Sequence, residues 1–386
     1  MDKRTEIRTH GSINKVVVVS DSFKGTISSS RICEIARESI GKFFPECQVC
    51  TIPVADGGEG TVACFVEAAG AEPIPVTVSG PYGEPVQAFY GKMGKKAVVE
   101  MAAAAGLPMV GDRKNPELTT SYGVGELIRH AVDNGCNEIL LGLGGSATTD
   151  GGCGCAAALG VEFLDEAGKS FVPVGQSLKK ICQVDDRVAR ERLRDVQITI
   201  MSDVDNPLYG PRGAAYIFGP QKGADQAMVR RLDEGLRYLD DVIFQKYGSC
   251  TNEIPGAGAA GGMGAGCVAF LGASIKSGID AILELVEFDR YLDGADMVLT
   301  GEGRIDAQSV RGKLISGIAR RTSSARVPLV AVVGCIGDDA SEAYDMGVTA
   351  MFSIDRNATA FENFAHRSEE FYRRTLEDIL RLLRAM

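Results

Sequence analysis

The sequence predicts an α/β protein with mainly parallel sheets, built as two α/β domains of which one is inserted into the other. Three observations predict it. Short β-branched runs alternate along the chain with stretches whose apolar residues recur at helical spacing. Most of the short runs are continuously apolar, as strands covered on both faces are, rather than alternating. One segment breaks this texture: VTVSGPYGEPVQAFYG, residues 76–91, alternates apolar residues around a Pro/Gly turn and reads as a hairpin.

Taken in order, residues 1–14 form a polar, flexible leader without the apolar stretch of a signal peptide. The first strand is expected at Lys15–Val19. A helix over Ser29–Phe44 follows, with Ile32, Ile35, Ala36, Ile40 and Phe43 on one face, and then a strand at Val49–Val54. The hairpin marks the entrance to the inserted domain, which holds strands at Lys96–Glu100, Glu138–Leu143 and Gln197–Met201. The parallel texture of the outer domain resumes at Met297–Thr300 and continues through Leu329–Val333 and Ala350–Ile354. Tyr372, Leu376, Ile379, Leu380 and Leu383 stripe a final helix. The expected boundaries are therefore 15–78 plus 292–386 for a discontinuous, Rossmann-like α/β domain, and 79–291 for the inserted α/β domain.

Composition narrows the function classes. The 386 residues carry a net charge of −10, so no global field favours nucleic acid or an anionic membrane. No apolar run approaches the roughly 18–20 residues that a membrane span needs. The expected setting is cytoplasmic, with neither a nucleic acid nor a membrane as partner. The oligomeric state stays open between monomer and homodimer. Eleven cysteines are scattered and odd in number, and only Cys47 and Cys50 have CxxC spacing; they read as buried free thiols. His10, His130 and His366 stand in contexts that suggest neither a histidine triad nor a zinc enzyme.

The chemistry collects where the strands end. The strand candidates run into SDSFKG, ADGGEGT, GGSATTDGG, SDVDNP and GEGRID, and in open α/β sheets ligands bind outside the carboxyl ends of strands. In LGLGGSATTDGGCG, residues 141–154, successive glycines let backbone N–H groups converge on an anion, while Ser146, Thr148 and Thr149 add hydroxyls. A helix through Cys155–Leu159 would present its positive end to the same spot. The alternative is a tight strand-to-helix turn with Asp150 as its cap. In ADGGEGT, Asp56 and Glu59 stand at capping-box spacing before a helix at Thr61–Ala69, yet the double glycine between them leaves backbone bare for a ligand. Lys24 in SDSFKG and Lys222 in GPQKGA each sit beside a glycine, able to neutralise a carboxylate or phosphate or simply to be solvated. Asp203, Asp205 and Asn206 follow an apolar strand; they suit a metal or a substrate hydroxyl, with Asx-turn chemistry before Pro207 as the alternative. GEGRID brings together Glu302, Arg304 and Asp306. The stretch GAGAAGGMGAG, 256–266, is expected mainly to pack tightly. No Walker A loop fits, no GxGxxG follows the first strand, and no hydrolase elbow is present.

Together, DSFKG, ADGGEGT, TTSYGVGELI, GLGGSATTDGG, SDVDNPLYGPRGAA, FGPQKGA, PGAGAAGGMG and TGEGRIDAQS occur in an order that resembles the bacterial glycerate kinase family, which includes the glycerate 2-kinases of glucarate and glyoxylate metabolism. The resemblance runs from about Lys15 to the last helix. It departs at Ser20, where the family often has proline, and at Thr149, where it often has asparagine. It implies an ATP-dependent, magnesium-requiring kinase of D-glycerate, with ATP and glycerate meeting in a cleft between the two domains, and it favours the 2-hydroxyl as acceptor. Composition and spacing do not decide between the 2- and 3-hydroxyl. A kinase of another small hydroxy acid and a non-catalytic metabolite-binding regulator are the competing readings.

On that footing the nucleotide phosphates are expected on Gly144, Gly145, Ser146, Thr148 and Thr149, with Lys222. Magnesium is expected on one or two of Asp150, Asp203 and Asp306. Glycerate is expected among Ser22, Lys24, Asp56, Glu59, Asn206, Glu302 and Arg304. Asp203, Lys24 and Arg304 are the expected catalytic residues, Asp203 as the group that orients and deprotonates the acceptor hydroxyl.

Overall fold

The computed structural model describes residues 13–23, 25–54, 62, 65–66, 70–306, 314–356 and 365–386. The chain divides into two units, one formed by Met1–Asp56 with Ile282–Met386 and the other by Gly57–Ala281.

The first unit opens with strand β1 (Lys15–Ser20), helix α1 (Ser29–Phe43) and strand β2 (Gln48–Pro53). Ser28 caps α1 by accepting from the Arg31 amide, and Ile32, Ile35, Ala36 and Ile40 form its buried stripe. The chain is already anchored ahead of β1: Ile13 packs on the core, and the Asn14 amide donates to Asp296 Oδ2 at 2.6 Å. The rest of the expected leader, 1–12, lies outside the described residues.

The second unit carries β3 (Glu72–Ser79), β4 (Pro85–Met93), β5 (Lys96–Glu100), α2 (Tyr122–Asp133), β6 (Glu138–Gly142) and the short α3 (Cys153–Ala158). A small antiparallel sheet follows, made of β7 (Glu162–Leu164), β8 (Ser170–Phe171) and β9 (Gln183–Asp185). Then come β10 (Gln197–Met201), the long α4 (Gln226–Tyr247), α5 (Ala259–Leu271) and β11 (Ser274–Lys276). Its main sheet has the order β11-β10-β6-β5-β4-β3. The first four are mutually parallel, and the β3–β4 hairpin is added antiparallel at the edge.

The chain then returns to the first unit through β12 (Met297–Gly301), β13 (Arg304–Ile305), α6 (Leu314–Ala325), β14 (Leu329–Val333), β15 (Cys335–Ile336), β16 (Val348–Ser353) and α7 (Ser368–Ala385). Its five-stranded sheet, β16-β14-β12-β1-β2, is wholly parallel. Val16, Val18, Met297, Leu299, Val330 and Val332 meet α1 and α7 on one face. From β1 the chain steps outward to β2, and from β12 it steps the other way to β14. Right-handed crossovers therefore put α1 and α6 on opposite faces, and the strand order reverses between β1 and β12.

The mainly parallel α/β architecture is thus as expected, and so is the hairpin. The boundaries need correction. The inserted unit begins at Gly57, not at 79, because β3 pairs along its whole length with β4 and so belongs to the inserted sheet. The return falls at Ile282 rather than 292. The helix expected over 61–69 lies largely outside the described residues. Among the described residues no helix is long and apolar enough to cross a membrane, and the cysteines are free as expected, but Cys182, Cys250 and Cys335 are exposed rather than buried.

Candidate functional site

In the second unit β5, β6, β10 and β11 run parallel and end together, with Glu100 level with Gly142, and Met201 level with Gly142 and Lys276. Their carboxyl ends define one sheet edge, which carries the glycine-rich loop after β6. That loop is pinned as it leaves the strand: the Leu107 amide donates to Gly145 O at 2.7 Å, and the Ala147 amide donates to Ala105 O at 2.9 Å. Gly145 has φ of +72°, which a side chain would make costly. Gly144 is half-buried and Gly145 exposed, whereas the chain sinks from Ser146 onward.

Beneath the loop lies an unusual floor. Lys222 is only 2% exposed, and its Nζ donates to Ser146 Oγ at 2.8 Å and to Thr148 O at 2.6 Å. Burial pushes its pKa down to about 7, partly opposed by the nearby Asp150 carboxylate. The amine expected to meet a nucleotide directly is therefore enclosed, and that expectation is corrected. Asp150 is wholly buried as well. Its Oδ2 accepts from the Ser121 amide and the Ser121 hydroxyl, both at 2.8 Å, and from the Gly154 amide at 3.3 Å; its Oδ1 accepts from the Gly152 amide at 3.1 Å. Burial raises its pKa while these hydrogen bonds pull it back. Asp150 thus caps the first turn of α3 and ties it to the start of α2. The expected metal role gives way to the capping one, because both oxygens face inward to protein donors.

Thr148 and Thr149 are also fully buried, each with a hydroxyl that finds no hydrogen-bond partner among the described residues. They do not present donors to solvent, so the open part of the loop is Gly144 and Gly145, with Ser146 at its edge, a correction to the wider expected set. The glycine-rich stretch packs against this loop from the inside. A Cβ on Gly261 would stand 2.1 Å from Thr148 O, and one on Gly266 would stand 2.1 Å from Gly151 O. The Gly151 amide donates to Gly261 O at 3.1 Å. Backbone lies directly on backbone, as expected of a stretch used for packing.

After β10, Asp203 is exposed, and its Oδ1 accepts from the Gly278 amide at 2.9 Å. Asp205 pairs with Arg212 at 3.4 Å on the surface. Asn206 Nδ2 donates to Arg212 O at 2.8 Å, and Asn206 O accepts from the Gly258 amide at 3.0 Å. The Asn206 side-chain nitrogen thus helps to shape its own turn. Lys276 is a residue that sequence reasoning missed. It pairs with Met201, and its carbonyl accepts from the Ser202 amide at 3.1 Å, so a lysine flanks the Asp203 turn. Only strand register reveals it.

In the first unit the expected residues gather at the ends of β1 and β12, where the strand order reverses. Ser20 Oγ and the Asp21 amide both donate to Gly301 O, at 2.9 and 3.0 Å. The Ser22 amide donates to Asp21 Oδ1 at 2.6 Å, turning the chain away from the strand. On the neighbouring strand end, Glu302 O accepts from the Gly334 amide at 3.1 Å, and Arg304 Nε lies 3.4 Å from Asp306 Oδ2. The Arg304 side chain is 65% exposed. The sheet thus brings Ser22, Glu302, Arg304 and Asp306 to one edge. Lys24, Asp56 and Glu59 lie outside the described residues. Among the described residues no cluster of three or more His, Cys, Asp or Glu is arranged to hold a metal. A magnesium ion carried by nucleotide phosphates needs only one or two protein carboxylates.

A sequence profile of the glycerate kinase family matches residues 16–384. The glycerate kinase of Bacillus cereus is 44% identical over 368 residues, spanning 95% of this chain and 97% of that protein. The glycerate 2-kinase of Escherichia coli K12 is 41% identical over 343 residues, spanning 88% and 90%. A crystal structure from Salmonella typhimurium LT2, assigned as glycerate kinase 2, superposes with a TM-score of 0.87 at 37% identity, covering 97% of this chain and 99% of that one.

Proposed function

Because the chain belongs to the glycerate kinase family, we propose that it transfers the γ-phosphate of ATP to the 2-hydroxyl of D-glycerate, yielding 2-phosphoglycerate and ADP. The observation that carries the nucleotide half of this reading is the loop Gly144–Ser146. It is open through Gly144 and Gly145 at a parallel-sheet edge, with Ser146 held from behind by Lys222 and the segment beyond backed by packed backbone. A preorganised cradle of this kind suits a phosphate tail, because phosphoryl transfer depends chiefly on positioning and charge neutralisation.

In the proposed reaction the glycerate hydroxyl oxygen attacks the γ-phosphorus, the bond to the ADP oxygen breaks, and the hydroxyl proton passes to Asp203. The Gly278 amide orients the Asp203 carboxylate. Lys24 and Arg304 are assigned to the acceptor carboxylate, with Ser22 and Glu302 beside Arg304 as further acceptor contacts. Magnesium, when bound, would neutralise charge on the phosphate oxygens, with Asp203 or Asp306 as the protein carboxylate that holds it.

Incubation with ATP, magnesium and D-glycerate, read by phosphorus NMR, tests the proposal. A 2-phosphoglycerate resonance is the expected result. A 3-phosphoglycerate resonance would keep the kinase and overturn the acceptor hydroxyl. Intact ATP beside an active control enzyme would overturn D-glycerate as the substrate.

A further inference from the structure

We propose that Lys222 is a positioning residue for nucleotide binding: it holds Ser146 from beneath so that the Ser146 hydroxyl proton faces the phosphates. This rests on the reading that Gly144–Ser146 takes the phosphate tail. Lys222 cannot itself touch a ligand there, being 2% exposed and covered by the loop. It acts through what it holds. An ammonium group has three donors and no acceptor, so Ser146 Oγ, 2.8 Å from Nζ, must be the acceptor of that contact. The hydroxyl proton is thereby turned away from Lys222. Ser146 retains 7% exposure, whereas Thr148, Thr149 and Asp150 retain none, so the open side beside Gly145 is where that proton can find an anion. The second contact, to Thr148 O at 2.6 Å, fixes the peptide two residues further on and stops the loop lifting from its floor.

Burial of a lone ammonium is costly, and a solvated lysine would have served a loop with no ligand. The pKa of about 7 adds to the geometric case. A neutral amine would accept from Ser146 instead and draw the hydroxyl proton inward, whereas a phosphate at Ser146 favours the charged form.

The test is a double-mutant cycle with Lys222→Met and Ser146→Ala in the full chain, reading the Kd of ATP by calorimetry together with KM for each substrate. We expect each single variant to raise the Kd of ATP by about tenfold, the loss of one charge-assisted contact, while KM for glycerate stays within about twofold. The double variant should be no weaker than the poorer single one, because the two residues form one unit. A merely structural lysine would lower the melting temperature without this coupling. If Lys222→Met binds ATP within about twofold of the parent, or if the two losses simply multiply, the proposal is overturned. Should Lys222→Met fail to fold, Ser146→Ala alone decides, and an unchanged Kd overturns it. Absence of ATP binding by the parent chain would instead sink the reading of the loop itself.

Discussion

Lys222 reaches the carbonyl oxygen of Thr148 from beneath the loop, 2.6 Å away, with its side chain buried. Its pKa of about 7 against an ordinary 10.5 makes this contact sensitive to pH. The charged group that bears on it is Asp150 in the loop above; Lys114, in the segment packed on Gly223, and Asp225, at the start of α4, are exposed. The charged form holds the loop, so ATP affinity should be full below pH 7 and decline as pH rises through the folded pKa. Binding at pH 8 should take up a proton, seen by calorimetry in buffers of different ionisation enthalpy, and Lys222→Met should abolish that uptake. Stability without ligand moves the opposite way. Between about pH 7 and 10.5 the unfolded chain holds this proton more firmly, so the Lys222 contribution to stability rises with pH across that window.

Asp150→Ala should destabilise the second unit by about 3 kcal/mol or more, because it strands the Ser121 hydroxyl, three buried amides and the Lys222 charge. Thermal unfolding measures this. The magnesium concentration giving half-maximal activity should stay unchanged in whatever active enzyme remains; an increase would restore Asp150 as a metal ligand.

Asp203→Asn keeps the shape of the turn and its bond from the Gly278 amide but removes the base. Turnover should fall by about a hundredfold or more while KM for glycerate moves little. Near-parental turnover in a steady-state assay would exclude Asp203 as the base.

Gly266→Ala forces a methyl group to within 2.1 Å of Gly151 O, where backbone opposes backbone and no flexible side chain can yield. The expected loss is about 1–3 kcal/mol, read by denaturant unfolding. KM for ATP should rise as well, since the displaced segment is the one that carries the proposed phosphate loop.

Much of the fold was legible because its strands are buried on both faces and so read as continuous apolar runs. Lys96–Glu100, Gln197–Met201 and Leu329–Val333 match their expected bounds at both ends. The hairpin was legible from its alternation, but the sheet it joins was not: the antiparallel pairing of β3 with β4 moved the domain boundary. The site was legible as a set of strand ends and illegible as a set of roles. Asp150 looks the same in sequence whether it caps or ligates, and Ser121, 29 residues earlier, decides it. The enclosure of Lys222 follows from Ser146 and Thr148, more than 70 residues away. Lys276 drew no notice because its place beside Asp203 comes from strand register alone.

The pairing of β1 with β12 has a consequence for how the protein is made. Ser20 and Gly301, joined through a side-chain hydroxyl, are 281 positions apart. A ribosome therefore releases β1, α1 and β2 long before the central neighbour of β1 exists, and a two-stranded parallel fragment with one helix is too small to persist alone. The inserted unit has all of its own strands by Lys276 and can collapse while the first strands wait. Synthesis thus leaves an apolar N-terminal segment, with Val16–Val19 wholly buried in the finished protein, exposed for most of the time the chain is being translated. That interval is where aggregation and chaperone capture would act on the nascent polypeptide.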